Sequence, residues 1–240
     1  MKILILSDIH YPVDSFGTIE SIIKKETFDK LIFLGDVVDT IYSPLQLTVI
    51  WKEFFDKLSQ IVPKSKMVIL YGDNDICITV NGKQEKSNNY EEQISNAINM
   101  PVFRTYKLGN MFFFHGNIET SHITEKIGYY AVKTANSIGI VDFIPKQVAI
   151  SIQKKYGTKN MYNFFGHIHL LEKYEDIKTT FCGTLNIKNM PFADSLGYVV
   201  AETDEIYNIT SMEKIELKHS YWTNSVNISA VASFFKTGLS

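Results

Sequence analysis

The chain has 240 residues, and its 24 Lys plus Arg nearly balance its 26 Asp plus Glu, leaving a formal net charge of −2. With 45% hydrophobic and 21% charged residues it has the make-up of an ordinary globular protein, and disorder over most of its length is excluded. The charge balance argues against a generally basic nucleic-acid wrapper, and no stretch reaches the roughly 18 apolar residues of a membrane-spanning helix.

Ile3 to Leu6 is a short apolar run without helical period and reads as a buried strand. Asp8 and His10 interrupt it too early for a signal peptide. With only Cys77 and Cys182 as thiols, a soluble protein of a reducing, cytoplasmic setting is expected. Phe16 to Lys25 has helical spacing. Leu31 to Leu34 is a second strand, stopped by Gly35, and Met67 to Tyr71 a third, stopped by Gly72. Between them, Leu45 to Ile61 reads as an amphipathic helix with Leu45, Val49, Trp51, Phe54, Phe55 and Leu58 available for the core. Strand, helix, strand, helix, strand favours an α/β arrangement with a parallel sheet, whose strand ends gather ligands. Here those ends carry Asp8, Asp36 and Asp73.

Further along, Thr79 to Tyr90 is polar and reads as a mobile surface loop. Glu91 to Met100 is a short helix ended by Pro101. Val102 to Lys107 and Met111 to His115 form a hairpin around Leu108-Gly109-Asn110. Ser121 to Ser137 and Pro145 to Tyr156 read as helices, joined by the apolar stretch Gly139 to Ile144. Met161 to Phe165 is another strand, and Thr179 to Leu217 alternates as several antiparallel strands do. The length suits a single domain over 1–240: a core over about 1–200, a helical insertion over about 121–156, and C-terminal strands and tail over 201–240.

Five segments put metal-type ligands just beyond a predicted strand: Ser7-Asp8-Ile9-His10, Gly35-Asp36, Gly72-Asp73-Asn74-Asp75, Phe114-His115-Gly116-Asn117 and Gly166-His167-Ile168-His169. In D-x-H, as in H-x-H, an extended chain would send both side chains to the same side, where they reach one ion. Imidazole with carboxylate suits manganese, iron, zinc or nickel. The chain has one arginine, Arg104, so an anionic group must be held by other means, and metal ions are one such means.

The order of these motifs over roughly residues 1–200 resembles the calcineurin-like metallophosphoesterases. The resemblance implies a four-layer αββα sandwich, two mixed sheets flanked by helices, with a dinuclear metal site at the strand ends. It implies two divalent transition-metal ions, manganese foremost. Asp8, His10, Asp36 and His169 would hold one, and Asp36, Asp73, His115 and His167 the other. A pair of ions about 3.5–4 Å apart clamps a phosphoryl oxygen and acidifies a bridging water, whose hydroxide attacks phosphorus. The expected function is phosphoester hydrolysis, with a diester favoured over a monoester.

Two departures shape that expectation. Asp73-Asn74 stands where the family usually has Asn-His, so residue 74 cannot deliver a proton. Asn74 is therefore expected to orient phosphate, and His10 or water to protonate the leaving oxygen. Asp39-Thr40 lacks the Arg-Gly of Ser/Thr protein phosphatases, which weighs against that branch. Asp39 and Asp75 read as acceptors that position the loops, or as simple turn residues. Cys182 reads as a packed thiol near the floor of the site. His122 and His219 read as surface residues. The insertion could be core, a homo-oligomer contact or a cap, and Lys126, Tyr129, Tyr130 and Lys133 on it could meet a nucleotide or lipid head group. The partner expected is a small phosphorylated, nucleotide-like substrate. The alternatives are a phosphomonoesterase, a nuclease, or a non-catalytic interaction scaffold on the same fold.

Overall fold

A computed structural model describes residues 1–11, 16–39, 41, 43–80, 83–86, 89–116, 143–185 and 196–217. Strands β1 (Lys2–Leu6), β2 (Lys30–Leu34) and β3 (Met67–Leu70) lie side by side and parallel, as the alternation of strands and helices requires. Between them in the chain run α1 (Phe16–Lys25) and α2 (Pro44–Ser59). The short hairpin β4 (Cys77–Val80) and β5 (Lys83–Lys86) and helix α3 (Tyr90–Ile98) follow, before β6 (Val102–Phe103) adds a parallel edge to β3.

The second sheet holds β7 (Thr105–Leu108), β8 (Met111–Phe114), β9 (Tyr162–Phe165), β10 (Leu171–Tyr174) and β11 (Thr179–Cys182), in the order β10-β11-β9-β8-β7. Helix α4 (Phe143–Tyr156) precedes β9. The chain then returns to the first sheet, where β12 (Gly197–Thr203) lies antiparallel to β1 and β13 (Ile209–Glu216) antiparallel to β12.

Three apolar layers explain the four-layer stack. Leu4, Leu6, Phe33 and Ile69 face one way, onto Ile19 and Ile22 of α1, Trp51, Phe54 and Phe55 of α2, and Ile94 of α3. Their neighbours Ile3, Ile5, Ile32 and Leu70 face the other way and meet Met111, Phe113 and Phe164 of the second sheet. That sheet turns Phe112, Phe114, Phe165 and Phe181 outward onto Ala149 and Ile152 of α4. The strands are apolar without a break because both faces are covered. The αββα expectation holds.

Four readings change. Leu45 and Val49 are 73% and 53% exposed, while Leu47, Trp51, Phe54, Phe55 and Leu58 are buried. The buried set follows the i, i+4, i+7 stripe, and Leu45 and Val49 each lie two residues off it, about 200° around the helix. The stretch expected as a loop from Thr79 overlaps a hairpin instead, with Thr79 and Val80 of β4 paired to Gln84 and Lys83 of β5. The stretch from Val102 to Lys107 splits at Arg104, with Val102–Phe103 in the first sheet and Thr105–Leu108 in the second. Phe143 and Ile144, placed in a connector, belong to α4. The helix expected over Ser121 to Ser137, with Lys126, Tyr129, Tyr130 and Lys133, lies outside the described residues, as do His122 and His219.

The apolar layer between the sheets is testable at Phe164, which pairs with Phe113 in the second sheet, stacks on its ring with centroids 4.9 Å apart and packs in one cluster with Ile3, Ile5 and Ile32 of the first sheet. Phe164→Ala is expected to cost about 3–5 kcal/mol in urea unfolding. A loss below about 1 kcal/mol would mean that the layer between the sheets does not depend on Phe164.

Candidate metal centre

The carboxyl ends of β1, β2 and β3 in one sheet and of β8 and β9 in the other converge, and each releases a ligand-bearing loop. The backbone there is not extended. Asp8, His10, Asp36, His167 and His169 all have left-handed φ, between 47° and 67°. Such values cost a residue with a Cβ on the order of 1 kcal/mol or more, and persist only where the surroundings impose them. Here the loops hold one another. Asp8 N–H donates to Gly35 O at 3.1 Å and His10 N–H to Asp36 O at 3.0 Å. His167 N–H donates to Asp8 Oδ2 at 3.0 Å. The side chains of D-x-H and H-x-H do converge, but through these turns rather than through the pleat of a strand.

The turns bring together two groups of side chains, each with ligand atoms within 4.8 Å of one another. Asp8, His10 and His169 form the first. His10 Nε2 lies 3.3 Å from His169 Nε2, which lies 3.2 Å from Asp8 Oδ1. Asp36, Asp73, His115 and His167 form the second. His115 Nε2 is 3.2 Å from Asp73 Oδ1 and 3.4 Å from Asp36 Oδ2, and His167 Nδ1 is 3.0 Å from Asp73 Oδ1. Asp36 Oδ2 also lies 3.9 Å from His10 Nε2, so this carboxylate faces both groups. All seven expected ligand residues are therefore assembled.

The donor set fits a cation. His115 Nε2 and Asp73 Oδ1 are buried 3.2 Å apart, yet neither has a hydrogen-bond partner, and a cation between them would satisfy both. The other nitrogen, His115 Nδ1, sits 2.9 Å from the Leu34 carbonyl. A carbonyl only accepts, so Nδ1 carries the proton and Nε2 presents its lone pair to the group. Nitrogen and oxygen together suit the divalent transition metals.

Charge is balanced by protons when no metal is bound. Burial opposes ionisation of Asp8, but His169 and His115 outweigh it and hold the carboxyl below its ordinary range. Asp73 is likewise lowered against its burial by His115 and His167. Burial disfavours the imidazolium of His115, yet Asp36 and Asp73 raise its pKa well above the usual value, and Asp73 raises that of His167. Asp75 is pushed up to about 7 by burial and by Asp36, despite the N–H groups it accepts.

Neighbouring residues shape the site. Asp75 accepts from Val38 N–H at 3.0 Å and Gly72 N–H at 2.8 Å, tying the second loop to the third as an acceptor. Asn74, expected to orient phosphate, donates its amide to Asp36 Oδ2 at 2.6 Å. Two glycines allow the close approach: a Cβ on Gly72 would fall 2.1 Å from Asp36 Oδ1, and one on Gly166 would fall 2.7 Å from Asp8 Oδ2. Cys182 is buried, and its thiol is pushed up by burial and by Asp8, so it is packing and not a nucleophile. Sequence reasoning missed two supports of Asp8. Ser7 donates its hydroxyl to Asp8 Oδ2, and Thr184 donates Oγ1–H to Asp8 O at 2.8 Å. A lone hydroxyl 176 residues from Asp8 leaves no pattern that could announce the second of these.

The model of the calcineurin-like phosphoesterase family matches residues 1–183. No curated protein matches the chain. Among solved structures, a novel archaeal phosphodiesterase is 14% identical, with a TM-score of 0.47 over 90% of this chain and 100% of that one. YfcE, a phosphoesterase from E. coli, is 15% identical, with a TM-score of 0.45 over 90% of this chain and 100% of that one. Vps29 complexed with zinc, from Entamoeba histolytica, is 13% identical, with a TM-score of 0.46 over 90% of this chain and 98% of that one.

Two outcomes are expected. A histidine whose pKa is raised by folding stabilises the native state below its unfolded pKa, about 6.5, and that stability is lost as pH climbs through the raised value. Asp75, raised from its unfolded value of 3.8 to about 7, acts in the same direction, because ionising it in the folded state is penalised. The melting temperature of the metal-free protein should therefore fall between pH 6 and 9, and saturating Mn²⁺ should flatten the fall. A metal-free profile that rises over that range would contradict the charge balance described. Gly72→Ala should weaken metal binding by at least about tenfold in titration calorimetry, because the methyl group displaces Asp36. An unchanged isotherm would show that the approach at Gly72 is not required.

Proposed function

The chain belongs to the calcineurin-like phosphoesterases, and from that premise we propose that it is a metal-dependent phosphoesterase that prefers diesters to monoesters. The observation that carries this reading is the pair of ligand groups at the meeting of five strand ends, with Asp36 of one group 3.9 Å from His10 of the other. Asp8, His10 and His169 would hold one ion, and Asp73, His115 and His167 the other, with Asp36 between them. Two divalent ions there would supply Lewis-acid polarisation of a phosphoryl oxygen and a water acidic enough to act as nucleophile near neutral pH.

The chain's own residues bear on which ester is favoured. Asp73 puts a carboxylate where the family usually has a neutral asparagine. That charge tightens the hold on a cation and repels a second negative charge on the substrate. A monoester dianion meets more of this repulsion than a diester monoanion, and one arginine in the whole chain offers little to offset it. Neither Asn74 nor His10 is set to give a proton to the leaving oxygen. Asn74 has none to give. His10 presents Nε2 to the ligand group, keeps Nδ1 buried, and is only 2% exposed. Substrates with good leaving groups follow, and manganese is the first metal to try.

The deciding assay is hydrolysis of bis-p-nitrophenyl phosphate against p-nitrophenyl phosphate with added Mn²⁺. The diester is expected to give the higher kcat/KM, and Asp36→Asn to lower it by at least about a hundredfold. A clear monoester preference would reverse the substrate assignment. Less than about one bound ion per chain, with no gain in activity on adding Mn²⁺, would sink the enzyme reading and favour the scaffold.

A further inference from the structure

Asp36 faces both ligand groups, with Oδ2 3.4 Å from His115 Nε2 and 3.9 Å from His10 Nε2, so its rotation bears on both. A carboxylate at the end of a short side chain turns easily about its last bond, which has broad torsional wells. At Asp36 two donors remove that freedom, and both come from Asn74. The amide Nδ2–H donates to Asp36 Oδ2 at 2.6 Å, and the backbone N–H donates to Asp36 Oδ1 at 3.0 Å. Each oxygen therefore has its own bond from the same residue. Oδ2, the oxygen that takes the amide, is also the one 3.4 Å from His115 Nε2 and 3.9 Å from His10 Nε2.

We infer that Asn74 is a positioning residue, whose amide sets the rotation of Asp36 so that Oδ2 lies between the two ligand groups. The inference rests on reading those groups as metal sites. It gives residue 74 a task toward the protein's own carboxylate rather than toward the substrate. The choice of an amide follows from charge. A neutral N–H fixes the carboxylate and leaves its full negative charge for cations, whereas an imidazolium in the same place would neutralise it. The side-chain carbonyl stays available as an acceptor, so the amide is not forced to leave Asp36 for lack of valence.

The test measures metal binding rather than turnover. Asn74→Ala removes the amide, and Asn74→Leu removes it while keeping the side chain's outline; both keep the backbone N–H bond to Asp36 Oδ1. Mn²⁺ is titrated by calorimetry, and the exchange-coupled signal of a Mn²⁺ pair is followed by electron paramagnetic resonance. Wild type is expected to bind two ions and give the coupled signal. In both variants one of the two ions should bind about ten- to a hundredfold more weakly, with the coupled signal reduced and metal-free melting temperatures close to wild type. Two ions bound at wild-type affinity with full coupling in either folded variant would overturn the inference. So would equal weakening of both ions together with a lowered melting temperature, the mark of a structural role alone. A wild type that binds no pair of ions would overturn the metal reading itself, and this inference with it.

Discussion

Burial of carboxylates at one point is the constraint on which the rest of the molecule depends. Asp8, Asp36 and Asp75 are all buried where the two sheets meet, and Asp73 stands beside them. A buried carboxylate without a partner is costly enough to be protonated or to unfold the protein. Each of these is compensated differently. Asp8 takes the N–H of His167 and the Ser7 hydroxyl, Asp75 takes two backbone N–H groups, and Asp36 takes both donors of Asn74. His115 and His167 then complete the balance, their pKa values raised by Asp36 and Asp73. The same arrangement gathers the carboxylate and imidazole groups that could hold a metal ion.

The sheets are built to hold this arrangement still. Phe113 and Phe164, paired in the second sheet and stacked on each other, face the first sheet and stand two residues before His115 and Gly166. With continuous apolar strands on both sides, the parallel strand ends are fixed in register, Leu6 against Phe33 and Phe114 against Phe165. Register sets the height at which each ligand leaves its strand. The strained turns that follow are then imposed by hydrogen bonds between loops, and only a rigid platform beneath can sustain them.

Much of this was legible from residue order. The central strands, the first two helices and all seven ligand residues follow from apolar runs that end in Gly, Asp or His, because such runs are local and their ends are marked. The core stripe of α2 was half misread, since Leu45 and Val49 are as apolar as Leu47, and only the docking face distinguishes them. The β4–β5 hairpin is hidden for the opposite reason: its second strand, Lys83–Lys86, is wholly polar, and the pairing is carried by backbone bonds that composition does not report. Nor could spacing reveal that Arg104 marks a change of sheet, which depends on where the next strand finds a partner.

For the site the division is sharper. Chemistry was legible in the sequence alone: which seven side chains are candidate ligands, why imidazole with carboxylate points to a divalent metal, and that residue 74 cannot be an acid. Those properties belong to single residues and to their place after a strand, so they survive without coordinates. Tertiary structure decided how they are aimed. Left-handed turns, not a pleated strand, bring Asp8 to His169 across 161 positions of sequence, and Asn74 faces Asp36 across 38. Directions of this kind arise from contacts between loops that are far apart in the chain, and a linear pattern contains no term for them.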